Sequence, residues 1–169
     1  YRRFRLAYPD RLIARVAKLA GLHKGDSVLD LGCGNGRLLR QLKSARPDIR
    51  IGGVDINHDA IIDASGSVMD LTSKFWHEHI EVGSWRQWLP TVVLYTPGRL
   101  LEMDSTVADK VRLWLSEIPI QIVYSYEDWL SGTTLSELCG RAQLPVLSES
   151  LVKMPGIEVG VIYGANYEH

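Results

Sequence analysis

The chain has 169 residues, 46% of them hydrophobic and 23% charged, with a net charge of -1. That suits one globular domain with a sizeable core and argues against a dedicated nucleic-acid binder, leaving a local basic patch at Arg2, Arg3 and Arg5. No run of about 18 apolar residues occurs, so no membrane span is expected, and no cleavable signal is visible; two cysteines, Cys33 and Cys139, without metal-ligand spacing suit a reduced, cytoplasmic setting.

Tyr8-Pro9-Asp10 reads as a helix start, followed by Leu12, Ile13, Val16, Leu19 and Ala20 at helical spacing, with Gly21 as the stop. His23 to Asp26 is a turn, and Val28 to Leu31 a short apolar run suited to a strand buried on both faces. Leu38, Leu39 and Leu42 mark a helix that ends before Pro47, and Ile49 to Ile56 is a second strand. Ile61, Ile62, Val68, Leu71 and Phe75 predict a helical region with Gly66 as a break, and His79 to Gly83 a third strand. Val92 to Thr96 is a fourth strand, stopped by Pro97-Gly98; a helix runs from about Ser105 to Glu117; Ile120 to Tyr126 is a fifth strand; and a helix covers Thr133 to Gln143. Val146 to Lys153 and Glu158 to Tyr163 then read as two strands around Pro155-Gly156.

Alternating strands and helices predict an α/β fold, a Rossmann-like, mostly parallel seven-stranded sheet with helices on both faces. The closing hairpin predicts one antiparallel strand in that sheet. No linker or repeat divides the chain, so residues 1–169 read as one domain, with 1–8 as an N-terminal arm. Ligand belongs at the carboxyl ends of the strands, where strand order reverses.

The chemistry-bearing stretch is "DSVLDLGCGNGRLLRQL", Asp26 to Leu42. Glycines between a strand and a helix let backbone N–H groups come close to a ligand. The spacing is G-x-G-x-G, through Gly32, Gly34 and Gly36, not the G-x-G-x-x-G of dinucleotide sites. Arg37 stands where that pattern needs its third glycine, and its bulk opposes close helix–strand packing, which disfavours a nicotinamide-dependent reductase. Asp55 ends the second strand, where a carboxylate can accept from both hydroxyls of a ribose, and Ile56 follows to pack on an adenine.

"VLDLGCGNG" followed by "GVDIN" resembles the class I S-adenosylmethionine-dependent methyltransferases, and the order of elements is similar to theirs over nearly the whole chain. The resemblance implies a methyltransferase with S-adenosyl-L-methionine as cofactor. It implies that Asp30, Gly32, Cys33 and Gly34 line the methionine half of that cofactor, that Asp55 holds the ribose and that Ile56 packs on the adenine. The segment after the third strand, where the family usually has an acid, offers Ser84 for the adenine amino group and Trp85 for stacking. Thr96, at the end of the fourth strand, is expected as a cofactor contact near where the family faces the methyl group. Tyr8 either closes over the cofactor or packs on the first helix.

The segment "LYTPGRLLEM" departs from the Asn-Pro-Pro-Tyr type of amino-group methyltransferases, which turns the expectation toward a small-molecule acceptor. Arg99 is either a clamp for an anionic substrate or a solvated residue, and Tyr126 lies on the ligand edge as a possible substrate contact. No histidine is placed as a general base, and no metal is expected; His77 and His79 fall at the wrong end of the sheet. Methyl transfer from a sulfonium is an in-line displacement, so alignment matters more than a base. Two alternatives stand beside this reading: an RNA or protein methyltransferase using the arginines of the arm, and a non-catalytic cofactor-binding regulatory subunit. A bare domain without a lid also suits a homodimer, with tryptophans such as Trp76, Trp88, Trp114 and Trp129 as packing or interface residues.

Overall fold

The computed structural model describes residues 8–55, 70–71, 89–126, 133–145, 152–154, 156–164 and 167. In chain order the elements are α1 (Asp10–Leu19), β1 (Ser27–Leu31), α2 (Arg37–Ala45), β2 (Arg50–Val54), β3 (Asp70–Leu71), β4 (Val92–Tyr95), α3 (Gly98–Leu101), α4 (Ser105–Ser116), β5 (Ile120–Tyr126), α5 (Leu135–Arg141), β6 (Val152–Met154) and β7 (Ile157–Tyr163). Among the described residues the strands form one mixed, 7-stranded sheet in the order β3-β2-β1-β4-β5-β7-β6. The stretch from β3 to β5 is parallel, whereas β7 is antiparallel to both β5 and β6.

The two faces of the sheet carry separate apolar layers. Val28, Val92, Leu94, Ile120, Ile122 and Tyr124 pack with Leu12, Ile13 and Val16 of α1 and with Leu38, Leu39 and Leu42 of α2. Leu29, Leu31, Val93, Tyr95 and Val123 point the other way, onto Leu100, Val111, Trp114, Leu115, Leu135 and Cys139 of the later helices. This is the alternation of a strand covered on both sides. Each fully buried leucine contributes about 1.5–3 kcal/mol, so the three on α2 fix that helix firmly against the sheet.

Some elements differ from their sequence reading. Leu71 was read as helical but lies in β3, where Asp70 and Leu71 pair with Gly52 and Gly53 of β2. Pairing with an existing strand outweighs local apolar spacing, which short runs leave ambiguous. The strand expected at His79 to Gly83 lies outside the described residues. The first hairpin strand reaches Met154, and Met154 faces Ile157 across the turn at Gly156 (φ 81°). The helix read over 133–143 spans Leu135–Arg141, and Thr134 starts it with a capping box: its hydroxyl accepts from Glu137 N–H, and the Glu137 carboxylate accepts from Thr134 N–H at 2.7 Å. The short α3, read only as a stop at Pro97-Gly98, continues from the end of β4. Trp114, expected as a packing or interface residue, is a packing residue, fully buried in the layer of the later helices.

Candidate functional site

β1 and β4 are neighbours, although β2 and β3 intervene in sequence on the other side of β1. The chain thus turns away in opposite directions at the carboxyl ends of β1 and β4. That is the reversal of strand order at which open α/β sheets bind ligands. The glycine turn leaves β1 at this point.

The turn is built from left-handed backbone. Gly32, Gly34 and Gly36 have φ of 78°, 55° and 71°, which side-chain-bearing residues rarely adopt. It is pinned from β2: Gly32 N–H and Cys33 N–H both donate to the Val54 carbonyl, at 2.7 and 3.0 Å. On its far side, Gly36 N–H donates to the Cys33 carbonyl at 2.9 Å, and Arg40 of α2 donates to the Asn35 carbonyl at 2.7 Å. A Cβ placed on Gly32 or Gly34 would meet nothing within 4 Å. The bare backbone therefore borders open space and is not bare to relieve crowding inside the protein.

Two carboxylates flank the turn. Asp55, immediately after β2, accepts a hydrogen bond from Gly34 N–H at 2.7 Å. Asp30 sits on β1 in the alternating position that Val28 shares, facing the apolar layer under α1 and α2. It is 1% exposed, and its Oδ1 has no hydrogen-bond partner among the described residues. Tyr124 of β5 bonds to its carboxyl group. Burial pushes Asp30 up to about 8, the nearby Asp55 charge adds to the rise, and the Tyr124 bond opposes it. Cys33, between the two acids in sequence, has its thiol pushed up by burial first and then by Asp30 and Asp55. A thiol held in that state is a poor nucleophile.

The other expected residues fall as follows. Tyr8 is half-buried and packs against the layer of α1 and α2, with its backbone N–H and carbonyl both held by the Gln41 side-chain amide, at 3.0 and 2.8 Å. It lines a tight apolar cleft with Leu12, Leu38, Leu94 and Tyr124. Thr96 is half-buried at the end of β4, where its carbonyl starts α3 by accepting from Arg99 N–H at 3.1 Å. Arg99 is 62% exposed and ion-paired with Glu102 at 2.9 Å. Tyr126 ends β5 on the ligand edge. Ile56, Ser84 and Trp85 lie outside the described residues. Gln41, Arg40 and Tyr124 were not singled out from sequence. Tyr124 had a legible signal, a polar-tipped residue two positions from the end of a buried strand. Gln41 had none, because an exposed-looking helix polar residue is the common case.

The open cradle over Gly32 and Gly34 and the orphaned oxygen of Asp30 fit a ligand that brings a cation to close-approaching backbone. Among the described residues, no group of His, Cys, Asp and Glu could hold a metal ion, and no helix is long and apolar enough to cross a membrane.

Comparisons with known proteins agree with this geometry. A family model described as a methyltransferase domain matches residues 22–110, more than half of the chain. No curated protein matches the sequence. Solved structures with a similar fold include the methyltransferase domain of bacterial CtHen1, at 16% identity, covering 91% of this chain and 97% of that one with a TM-score of 0.60. A SAM-dependent methyltransferase from Aquifex aeolicus is 15% identical, with 92% and 93% coverage and a TM-score of 0.60. The magnesium protoporphyrin IX methyltransferase ChlM from Synechocystis PCC 6803, solved with bound SAM, is 13% identical, with 92% and 79% coverage and a TM-score of 0.59. From the match over the glycine turn, Asp55 and β4, the chain belongs to the methyltransferase-domain family and is an S-adenosylmethionine-dependent methyltransferase.

Proposed function

We propose that the chain methylates a small-molecule acceptor, with the cofactor seated over the glycine turn. The observation that supports the seat is the open space beside Gly32 and Gly34, bordered by two carboxylates. S-adenosylmethionine supplies a methyl group on a positively charged sulfur, a good neutral leaving group once the methyl departs. In this reading the backbone of Gly32, Cys33 and Gly34, with Asp30, holds the methionine half. Asp55 holds the ribose, and Ile56, Ser84 and Trp85 enclose the adenine. Thr96 lies nearest the methyl group, and Tyr8 bounds the pocket from the α1 side.

The chain's own task is then alignment. Strand ends hold the donor in fixed geometry, and the acceptor must approach in line from the open side. Tyr126 is a candidate acceptor contact. Arg99 becomes one only if an anionic acceptor displaces Glu102, which an exposed pair worth about 0–1 kcal/mol permits. A small-molecule acceptor is in keeping with the protoporphyrin named for one structural neighbour. The basic arm that motivates an RNA acceptor lies outside the described residues. We place the enzyme in the cytoplasm, paired with a second copy; a monomeric mass by light scattering counts against the pairing.

Calorimetric titration with S-adenosylhomocysteine, with NADH in parallel, tests the seat. Binding of the former alone is expected. Binding of NADH and not of S-adenosylhomocysteine refutes the assignment. Transfer of labelled methyl to a small-molecule panel but not to RNA or protein extracts supports the acceptor class; the reverse pattern overturns it.

A further inference from the structure

The cofactor seat carries a carboxyl group in a position that the strand pattern reserves for a hydrophobe. Val28 and Asp30 share one face of β1, and that face is otherwise filled by Leu94, Ile122 and the leucines of α2. Asp30 is buried, with Tyr124 on one side and an oxygen that meets no donor. The ionisable groups that act on it are Asp55 at the end of β2 and Tyr124 on β5, with Cys33 responding to it from the turn. β4 opposes it with Leu94 in register, and α1 and α2 present Leu12, Val16, Leu38 and Leu42 to the same layer. No cationic side chain among the described residues is in that set. A buried carboxylate with no cation, beside a second carboxylate, is strongly disfavoured as an anion.

Resting on the cofactor seat proposed above, we infer that Asp30 is a neutral acid in the free protein and gives up its proton when the cationic end of the cofactor binds. The O–H bond of the Asp30 carboxyl breaks, the proton leaves to solvent, and the carboxylate that remains pairs with the arriving positive charge. The seat is thereby selective for cationic ligands: a neutral analogue gains nothing from Asp30 and leaves its proton in place. Cofactor affinity rises with pH while Asp30 is protonated in the free protein and levels off where the free acid ionises on its own. Burial that raises Asp30 to about 8 puts that plateau at the alkaline edge of the physiological range.

The test has two readouts. The first is the side-chain carboxyl carbon of Asp30, followed by NMR in the free protein, with Asp30→Asn to assign the signal. A midpoint well above the ordinary carboxylate range is expected; a midpoint near about 4 overturns the inference even if the cofactor binds. The second is calorimetry with S-adenosylhomocysteine, whose methionine end carries an ammonium, and with 5′-methylthioadenosine, which lacks it. Titrations at about pH 6.5 in buffers of different ionisation enthalpy should show close to one proton released per S-adenosylhomocysteine and none per methylthioadenosine, with affinity rising about tenfold per pH unit. In Asp30→Asn both the release and the pH dependence should vanish. Equal proton release in wild type and Asp30→Asn overturns the role of Asp30 while leaving the cofactor seat intact. Failure of S-adenosylhomocysteine to bind, with Asp30 still titrating high, overturns the seat and with it the linkage.

Discussion

Replacing Asp30 by asparagine should stabilise the protein, and the gain should grow with pH. Asparagine keeps the shape of the side chain and an oxygen for Tyr124, but it carries no charge to bury. In the wild type the acid stands at about 8 in the folded state against 3.8 ordinarily. The sign follows from proton binding: the folded state holds a proton that the unfolded chain releases, so raising the pH favours unfolding. Asp30 costs nothing below its ordinary value, costs more with each step up from there, and stops adding cost once it ionises in the folded state near 8. Each pH unit is worth about 1.4 kcal/mol, which over about four units sets a ceiling near 6 kcal/mol. Relaxation and water entry lower such penalties, so a gain of about 2–4 kcal/mol is expected at about pH 8, against about 1 kcal/mol or less near pH 4. Urea unfolding of both proteins, followed by circular dichroism at several pH values, measures this difference. A gap that stays constant with pH, or a wild type that becomes relatively more stable as pH rises, would refute the reasoning.

Three further substitutions probe separate links. Asp55→Ala removes the acceptor of the Gly34 N–H bond and the proposed ribose contact; S-adenosylhomocysteine binding should weaken by about 1.5–3 kcal/mol, and unchanged affinity in a folded variant shows that Asp55 does not hold the ribose. Gly34→Val forces a branched residue to a φ of 55°, a strain of about 1–2 kcal/mol, into space that the protein leaves open; a folded variant that no longer binds is expected, and undiminished binding would place the cofactor elsewhere. Tyr95→Phe, on the opposite face of the sheet, strips the 2.6 Å hydrogen bond from the buried Gln121 side chain; thermal unfolding should report a loss of about 1–3 kcal/mol with cofactor affinity unchanged.

What the sequence by itself determined is the part written in local spacing. Glycines at alternating positions between an apolar run and a helix repeat can be read as a close-approach turn without knowing what lies opposite, because the requirement is on their own backbone angles. The position of Asp55 is legible for the same reason, as the acid where the next strand ends. The helices α1, α2 and α4 follow from apolar periodicity over long enough stretches. Tertiary structure decided the rest, through groups that meet across the sheet. β3 at Asp70–Leu71 exists because Gly52 and Gly53 offer it a ladder, against its own helical spacing. Trp114 is core and not interface because α4 turns that face inward. The bond from Gly34 to Asp55 joins residues far apart in sequence, and so do the Gln41 hold on Tyr8 and the meeting of Tyr124 with Asp30. Asp30 shows the division most clearly. Its presence after Val28-Leu29 is plain in the sequence, but its chemistry is set by what surrounds it: the apolar layer under α1 and α2, a neighbouring carboxylate and, among the described residues, no cation, an environment that only the folded sheet assembles.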